Sequence, residues 1–198
     1  MAIGVTFKET MEGWFALGAT DPEAGARKGR SEGTKLAMHA SVTIDNIDRF
    51  TTDEKHPGKL SGTIDFPPFG DRSEAPAGVF NLFSPSDEPG LHYMVYELAF
   101  EQGGKPHYLA GRKHVRDDQE FDLWSDTTTL YTTLHDGENA DAPAIGAGVL
   151  RLDLMDFMKL ISTLRATGAK SAAEKAKAIG KFGQFFMGEL WNTYGPGD

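Results

Sequence analysis

The segment Leu91–Leu134, LHYMVYELAFEQGGKPHYLAGRKHVRDDQEFDLWSDTTTLYTTL, constrains the fold more than any other part of the chain. It reads as three β-strands separated by turns at Gln102–Pro106 and Arg116–Gln119. No helical period lies between the strands, so they pair as an antiparallel meander, and the body of the protein is all-β.

The flanking sequence extends this reading. Val5, Phe7, Met11, Phe15 and Leu17 share one parity against Thr6, Lys8, Thr10 and Glu12, the signature of a half-buried strand. Leu36, Met38, Ala40, Val42 and Ile44 repeat it. Between them, Ala19 to Gly33 is polar and glycine-rich and is expected to be an exposed, mobile loop. Turns are expected at Asn46–Phe50 and His56–Gly58. A strand over Lys59–Phe66 is ended by Pro67-Pro68, which cannot continue a ladder. Gly78–Phe83 and Ile145–Leu152 are further strands, giving about eight at the spacing of a small barrel or sandwich.

The period then changes. Asp153 is placed to cap a helix carrying Leu154, Phe157, Met158, Ile161 and Leu164, with Gly168 as its C-cap. Ser171-Ala172-Ala173-Glu174 is a capping box opening a second helix, striped by Ile179, Phe182, Phe186 and Leu190 and widened by Phe185, Met187 and Trp191. The strand at 91–100 is apolar on both faces, His92, Met94, Tyr96, Leu98 and Phe100 against Leu91, Tyr93, Val95 and Ala99. One face is expected to look into the core and the other to lie under the C-terminal helices. The resulting expectation is one domain over residues 1–198: a lipocalin-like antiparallel barrel, or strongly curved sheet, over 5–152, with two helices over 153–194 packed against it.

Composition narrows the function classes. A net charge of -9 disfavours generic binding to nucleic acid or anionic membrane. The absence of cysteine removes disulfides, thiolate chemistry and sulfur-ligated zinc. The N-terminal Met1–Phe7 stretch has no basic or apolar leader character and no apolar run approaches the ~20 residues of a membrane span, so a cytoplasmic location is expected.

Candidate site residues cluster in the meander. Glu97 lies among Val95 and Ala99, so it is either paired with Arg112, Lys113 or Arg116 on the next strand, the favoured reading, or held at a raised pKa. Arg112, His114 and Arg116 share one face, with Lys113 pointing the other way. They could receive a carboxylate or phosphate, but cross-strand balance with Glu120, Asp122 and Asp126 is preferred. On the third strand Asp122, Trp124, Asp126 and Thr128 share a face, and the Thr127–Thr129 cluster could line a polar cavity or simply reflect β-propensity. The lysines Lys170, Lys175, Lys177 and Lys181 read as a solvated helix face. The six histidines show no metal spacing, His107 and His114 having opposite parity, and no metal site is expected. Gly146-Ala147-Gly148 is followed by Arg151 where a dinucleotide fingerprint needs its third glycine. No nucleophile elbow or P-loop occurs, and no cofactor is expected.

Several strings, Val5–Gly13 (VTFKETMEG), Lys59–Phe66 (KLSGTIDF), Asp122–Tyr131 (DLWSDTTTLY) and Gly146–Leu150 (GAGVL), together resemble a region found in large bacterial proteins of the cholesterol-oxidase-like group. That group belongs to the glucose–methanol–choline flavoenzymes, some of them fused to an α/β-hydrolase. The resemblance implies an accessory region without the flavin fold, a redox or hydrolase partner enzyme, and an apolar, sterol- or lipid-like ligand. It transfers no flavin site and no catalytic residue.

The first functional expectation is therefore a non-catalytic barrel binding an apolar small molecule, or an accessory module, with Glu97, Arg112, His114, Trp124, Asp126, Tyr96 and Tyr108 as ligand-binding candidates. Phe66, Phe69 and Phe80 are further candidates for the lining. The alternatives are acid–base catalysis on a lipid-like substrate by Glu97, Arg112, His114 and Asp126, and a structural interaction module pairing through the Phe-rich last helix.

Overall fold

A computed structural model describes residues 2–70, 72–116 and 123–194. The expected antiparallel barrel is present. Eight strands, β1 (Gly4–Leu17), β2 (Lys35–Ile44), β3 (Pro57–Asp65), β4 (Ser73–Pro85), β5 (Leu91–Gln102), β6 (Lys105–Arg116), β7 (Thr129–His135) and β8 (Ala144–Arg151), pair in chain order. The barrel closes because β1 pairs on one edge with β2, from Val5↔Ile44 to Trp14↔Lys35, and on the other with β8, from Glu12↔Arg151 to Leu17↔Gly146. A short ninth strand, β9 (Arg165–Thr167), joins β1 at Gly4–Thr6. Between these pairings, Phe7–Met11 have no strand partner on that edge among the described residues. The helix α4 (Leu154–Thr163) crosses there instead, and its Thr163 hydroxyl accepts from the Lys8 backbone N–H at 2.9 Å.

The period-two patterns set which side chains enter the barrel. Leu36, Met38, Ala40, Val42 and Ile44 of β2 are all buried, as are Val5, Phe7, Met11 and Phe15 of β1. One end of the interior is filled by aromatic packing: Phe15 meets Phe66 edge-on at 5.2 Å, Phe66 meets Phe69 at 5.3 Å, and Phe69 stacks on His107 at 4.9 Å. The Pro67–Phe69 turn that ends β3 supplies Phe69 to this plug.

The other end is roofed by α4 and α5 (Ala172–Tyr194). Asp153 caps α4 by accepting from Asp156 N–H at 2.8 Å, and the Ser171/Glu174 box closes reciprocally at 3.1 and 3.3 Å. Phe182 packs on Phe7 at 5.7 Å and Phe185 on Phe50 at 5.4 Å. Phe50 belongs to α2 (Ile47–Phe50), a single turn capped by Asn46 where a turn was expected. Lys181 of α5 pairs with Asp48 of α2 at 2.5 Å, tying the roof to the rim. No described helix is long and apolar enough to cross a membrane.

Four expectations are corrected. The Ala19–Gly33 segment is not a loop but carries α1 (Pro22–Glu32), with Asp21 accepting from Ala24 N–H at 2.7 Å and Gly33 at φ 70° closing its C-terminus. Its buried Gly25 and Gly29, one turn apart, lie directly on β8 and β1: a Cβ on Gly25 would stand 2.1 Å from the Ala147 carbonyl oxygen, and one on Gly29 2.5 Å from Phe15 N. The glycines that suggested mobility are the contact face. Second, Leu123–Thr128 is helical (α3), and the strand of that segment begins only at Thr129. Third, Gly168 does not cap α4, which ends at Thr163 with Leu164 as its C-cap, before β9. Fourth, the C-terminal helices close the barrel end and do not cover the outer face of β5. That face is half-exposed, with Arg112 over the Tyr93 ring at 5.3 Å and His114 against Tyr93 at 5.3 Å. The expected turn after Arg116, with Glu120 and Asp122, lies outside the described residues.

Close backbone approach at α1 yields a testable contrast. Gly25→Val or Gly29→Val should destabilise the protein by about 1–3 kcal/mol in urea unfolding, through overpacking. Gly180→Ala on α5, where a Cβ meets nothing within 4 Å, should stabilise by about 0.4–1 kcal/mol.

Candidate functional site

Below the helical roof the barrel holds a cavity of about 650 Å³. Phe7, Phe80, Leu82, Met94 and Leu152 form its walls, together with Thr127 and Thr128 of α3, two members of the threonine cluster for which the sequence offered a cavity-lining role. Phe157 and Leu160 of α4 and Leu164 at its C-cap, with Phe182, Phe186 and Leu190 of α5, form its roof. The helices do not seal it. Ile161 and Met187 both line the cavity, yet they are 50% and 64% exposed. Leu154, Met155 and Met158 of α4 and Trp191 of α5 are exposed as well.

The floor is different in kind. Lys113 and Glu9 enter it from β6 and β1 with side chains only 2% and 1% exposed, Nζ to Oε2 being 3.7 Å. The Lys113 ammonium also lies 3.4 Å from the Tyr96 hydroxyl and 4.7 Å from the centre of that ring. The other Glu9 oxygen, Oε1, is buried and has no hydrogen-bond partner among the described residues. Burial pulls Lys113 below the ordinary lysine range, and the Glu9 charge opposes that shift. Burial and the adjacent Glu9 carboxylate push the Tyr96 phenol well up, so it stays protonated.

Strand parity explains how both charges come inside. Glu9 shares the inward parity of Val5, Phe7 and Met11, and Lys113 that of Leu109 and Val115. The sequence reading placed Lys113 opposite Arg112 and His114 but did not carry it to a site, and it passed over Glu9. The available signal was a lone acid on an otherwise apolar strand face, matched by a mid-strand lysine between Gly111 and Val115 on the inward face of another. Their juxtaposition depends on closure between strands far apart in the chain.

The sequence-predicted residues divide between two places. Tyr96 and Phe80 line the cavity. Glu97, Arg112 and His114 instead share a shallow groove on the outer barrel wall with Tyr131 and His135. Glu97 has none of the three partners expected: its carboxylate accepts from the Tyr108 hydroxyl at 2.6 Å, and burial together with this bond raises the Tyr108 pKa well above its usual range. Tyr108 is thus on the outer wall, and Phe66 and Phe69 are in the filled end rather than the cavity. Of the acids expected to balance β6, Glu120 and Asp122 lie outside the described residues; Arg112 faces Tyr131 and Arg116 pairs with Glu88 at 2.5 Å. Asp126, on α3, places Oδ2 3.4 Å from the Arg116 N–H, and the Trp124 side chain lies outside the described residues. His114 stacks on Tyr131 at 5.1 Å, and burial with the flanking Arg116 and Arg112 charges lowers its pKa. No group of three or more metal-ligating side chains occurs among the described residues.

No family model, curated protein or solved structure matches the chain. The likeness to the glucose–methanol–choline group therefore rests on its sequence strings alone.

Two measurements test this electrostatic layout. Lys113→Met leaves Glu9 buried without its cation and should cost about 3–5 kcal/mol of stability, most of it regained in the Glu9→Leu/Lys113→Met double variant. His114, held neutral in the fold, resists a proton that the unfolded chain accepts near pH ~6.5. Its contribution is complete above that pH and is lost as pH falls through the window down to the depressed folded value. Urea midpoints recorded across this window should fall less steeply for His114→Gln.

Proposed function

We propose that the protein binds an apolar small molecule inside the barrel, between the Glu9–Lys113 floor and the α4–α5 roof, and performs no chemistry on it. The observation that carries this reading is the cavity itself. Its ~650 Å³ falls in the range of small-molecule sites, its walls are mainly apolar, and its charged groups, Glu9 and Lys113, meet at the floor. An eight-stranded barrel is wide enough either to be filled by side chains or to hold one ligand, as in lipocalins. Here one end follows the first solution and the other end the second. Leaving such a space unfilled sacrifices packing contacts, a sacrifice that a ligand offsets. The exposed Ile161 and Met187 at the mouth give an apolar molecule a continuous path inward.

A role beside a redox or hydrolase enzyme is the proposal that the sequence strings add. It is compatible with an interior site, since it concerns what receives or supplies the ligand. The acid–base alternative has Glu97, Arg112 and His114 in the outer groove, where Glu97 is already engaged by Tyr108, and its Asp126 does not line that groove.

Gly183 offers a clean test. It lines the cavity, and a Cβ there would meet nothing within 4 Å. Gly183→Phe should occupy the space, leave the unfolding midpoint near that of the parent, and weaken binding of Nile red at least tenfold. Parental affinity in a folded Gly183→Phe variant would place the binding site elsewhere. Native mass spectrometry of gently purified parent protein, with solvent extraction, should release an apolar compound that Gly183→Phe does not retain.

A further inference from the structure

We infer that the ligand's polar end is a neutral group that both donates and accepts a hydrogen bond, in the simplest case one hydroxyl, seated between Glu9 and Lys113. This inference rests on the interior-binding reading and specifies the chemistry recognised there. Besides Thr127 and Thr128, the polar side chains lining the cavity are those of the floor, and among the described lining residues only Glu9 carries a buried polar atom without a hydrogen-bond partner, so the floor is where a head group is read.

Glu9 is one of the residues lining that floor, and its Oε1 is buried and has no hydrogen-bond partner among the described residues. A carboxylate oxygen in such a place calls for a donor. Lys113 has three N–H donors, yet its Tyr96 and Glu9 contacts, at 3.4 and 3.7 Å, exceed the ~2.7–3.2 Å of a well-formed hydrogen bond. An acceptor-seeking ammonium and a donor-seeking carboxylate therefore lie side by side. A hydroxyl satisfies both at once, donating to Glu9 and accepting from Lys113.

Other head groups fail on charge or on pairing. A carboxylate would suit Lys113 but would bring a second anion against Glu9 in a water-poor site. An alkylammonium would suit Glu9 but would meet Lys113. An ether accepts from Lys113 and leaves Glu9 Oε1 as it was. A plain alkyl end satisfies neither. Sites built to hydrogen-bond a hydroxyl discriminate strongly against analogues that lack it, because their own buried groups are then left unpaired.

The test is displacement of Nile red from the parent protein at pH 8 by decan-1-ol, decanoic acid, decylamine and 1-methoxynonane. These share an apolar chain of closely similar length and differ at the head. Decan-1-ol should bind about tenfold or more tighter than each of the others. In the folded Glu9→Leu/Lys113→Met double variant the preference should collapse to within about threefold. Equal binding of the alcohol and the ether by the parent would overturn the head-group assignment while leaving the interior site standing. Tightest binding of decanoic acid would overturn it in favour of a carboxylate on Lys113. If none of the four displaced Nile red, the interior-binding reading itself would fall, and this assignment with it.

Discussion

The pairing of β1 on both of its edges holds the molecule together. β1 supplies the ladder with β2 that closes the barrel, the shorter ladder with β8, and the anchor for β9. Backbone groups buried in a barrel wall must be paired, so this one strand satisfies donors and acceptors from three neighbours. Where β8 departs and β9 has not yet begun, α4 takes the free edge through Thr163. Glu9 sits in that interval, and the helices that patch it are also the roof of the cavity. The site is a consequence of how the barrel is closed.

The buried Glu9–Lys113 pair is hard to justify on stability alone. Desolvating two charges costs several kcal/mol, and their attraction at 3.7 Å, with one carboxylate oxygen left without a partner, recovers it incompletely. An apolar pair of similar volume would pack as well or better. The pair stands at the base of a mainly apolar cavity, and the proposed recognition of a ligand there would account for its cost.

Much of the architecture was legible because it is local. The alternation in β1 and β2, the Gly103-Gly104 turn, the double proline after β3, the Asp153 cap and the Ser171/Glu174 box each act within a few residues, and each appears where the sequence placed it. The misreadings are those in which tertiary contact overrides local signals. Gly25 and Gly29 weaken a helix by propensity but let α1 approach the sheet, so a segment rich in glycine and charge is helical. Leu123–Thr128 alternates like a strand and is a helix. The site was the least legible part. Charge density in the sequence drew the reading to Glu97, Arg112 and His114, which face outward. The two charges that face inward are single residues on separate strands, and only barrel closure brings them together.

Methionine methyl NMR tests the central claim, that the interior beneath α4 and α5 is a ligand site, most directly. Met94 lines the cavity and Met187 its mouth, Met11 and Met38 lie in the core away from it, and Met155 and Met158 are on the exposed face of α4. Titration with decan-1-ol should shift the Met94 and Met187 methyl resonances together, saturating at one equivalent, with Met11 and Met38 little changed. Shifts confined to Met155 and Met158, or a Met94 signal that does not move at saturation, would contradict the account.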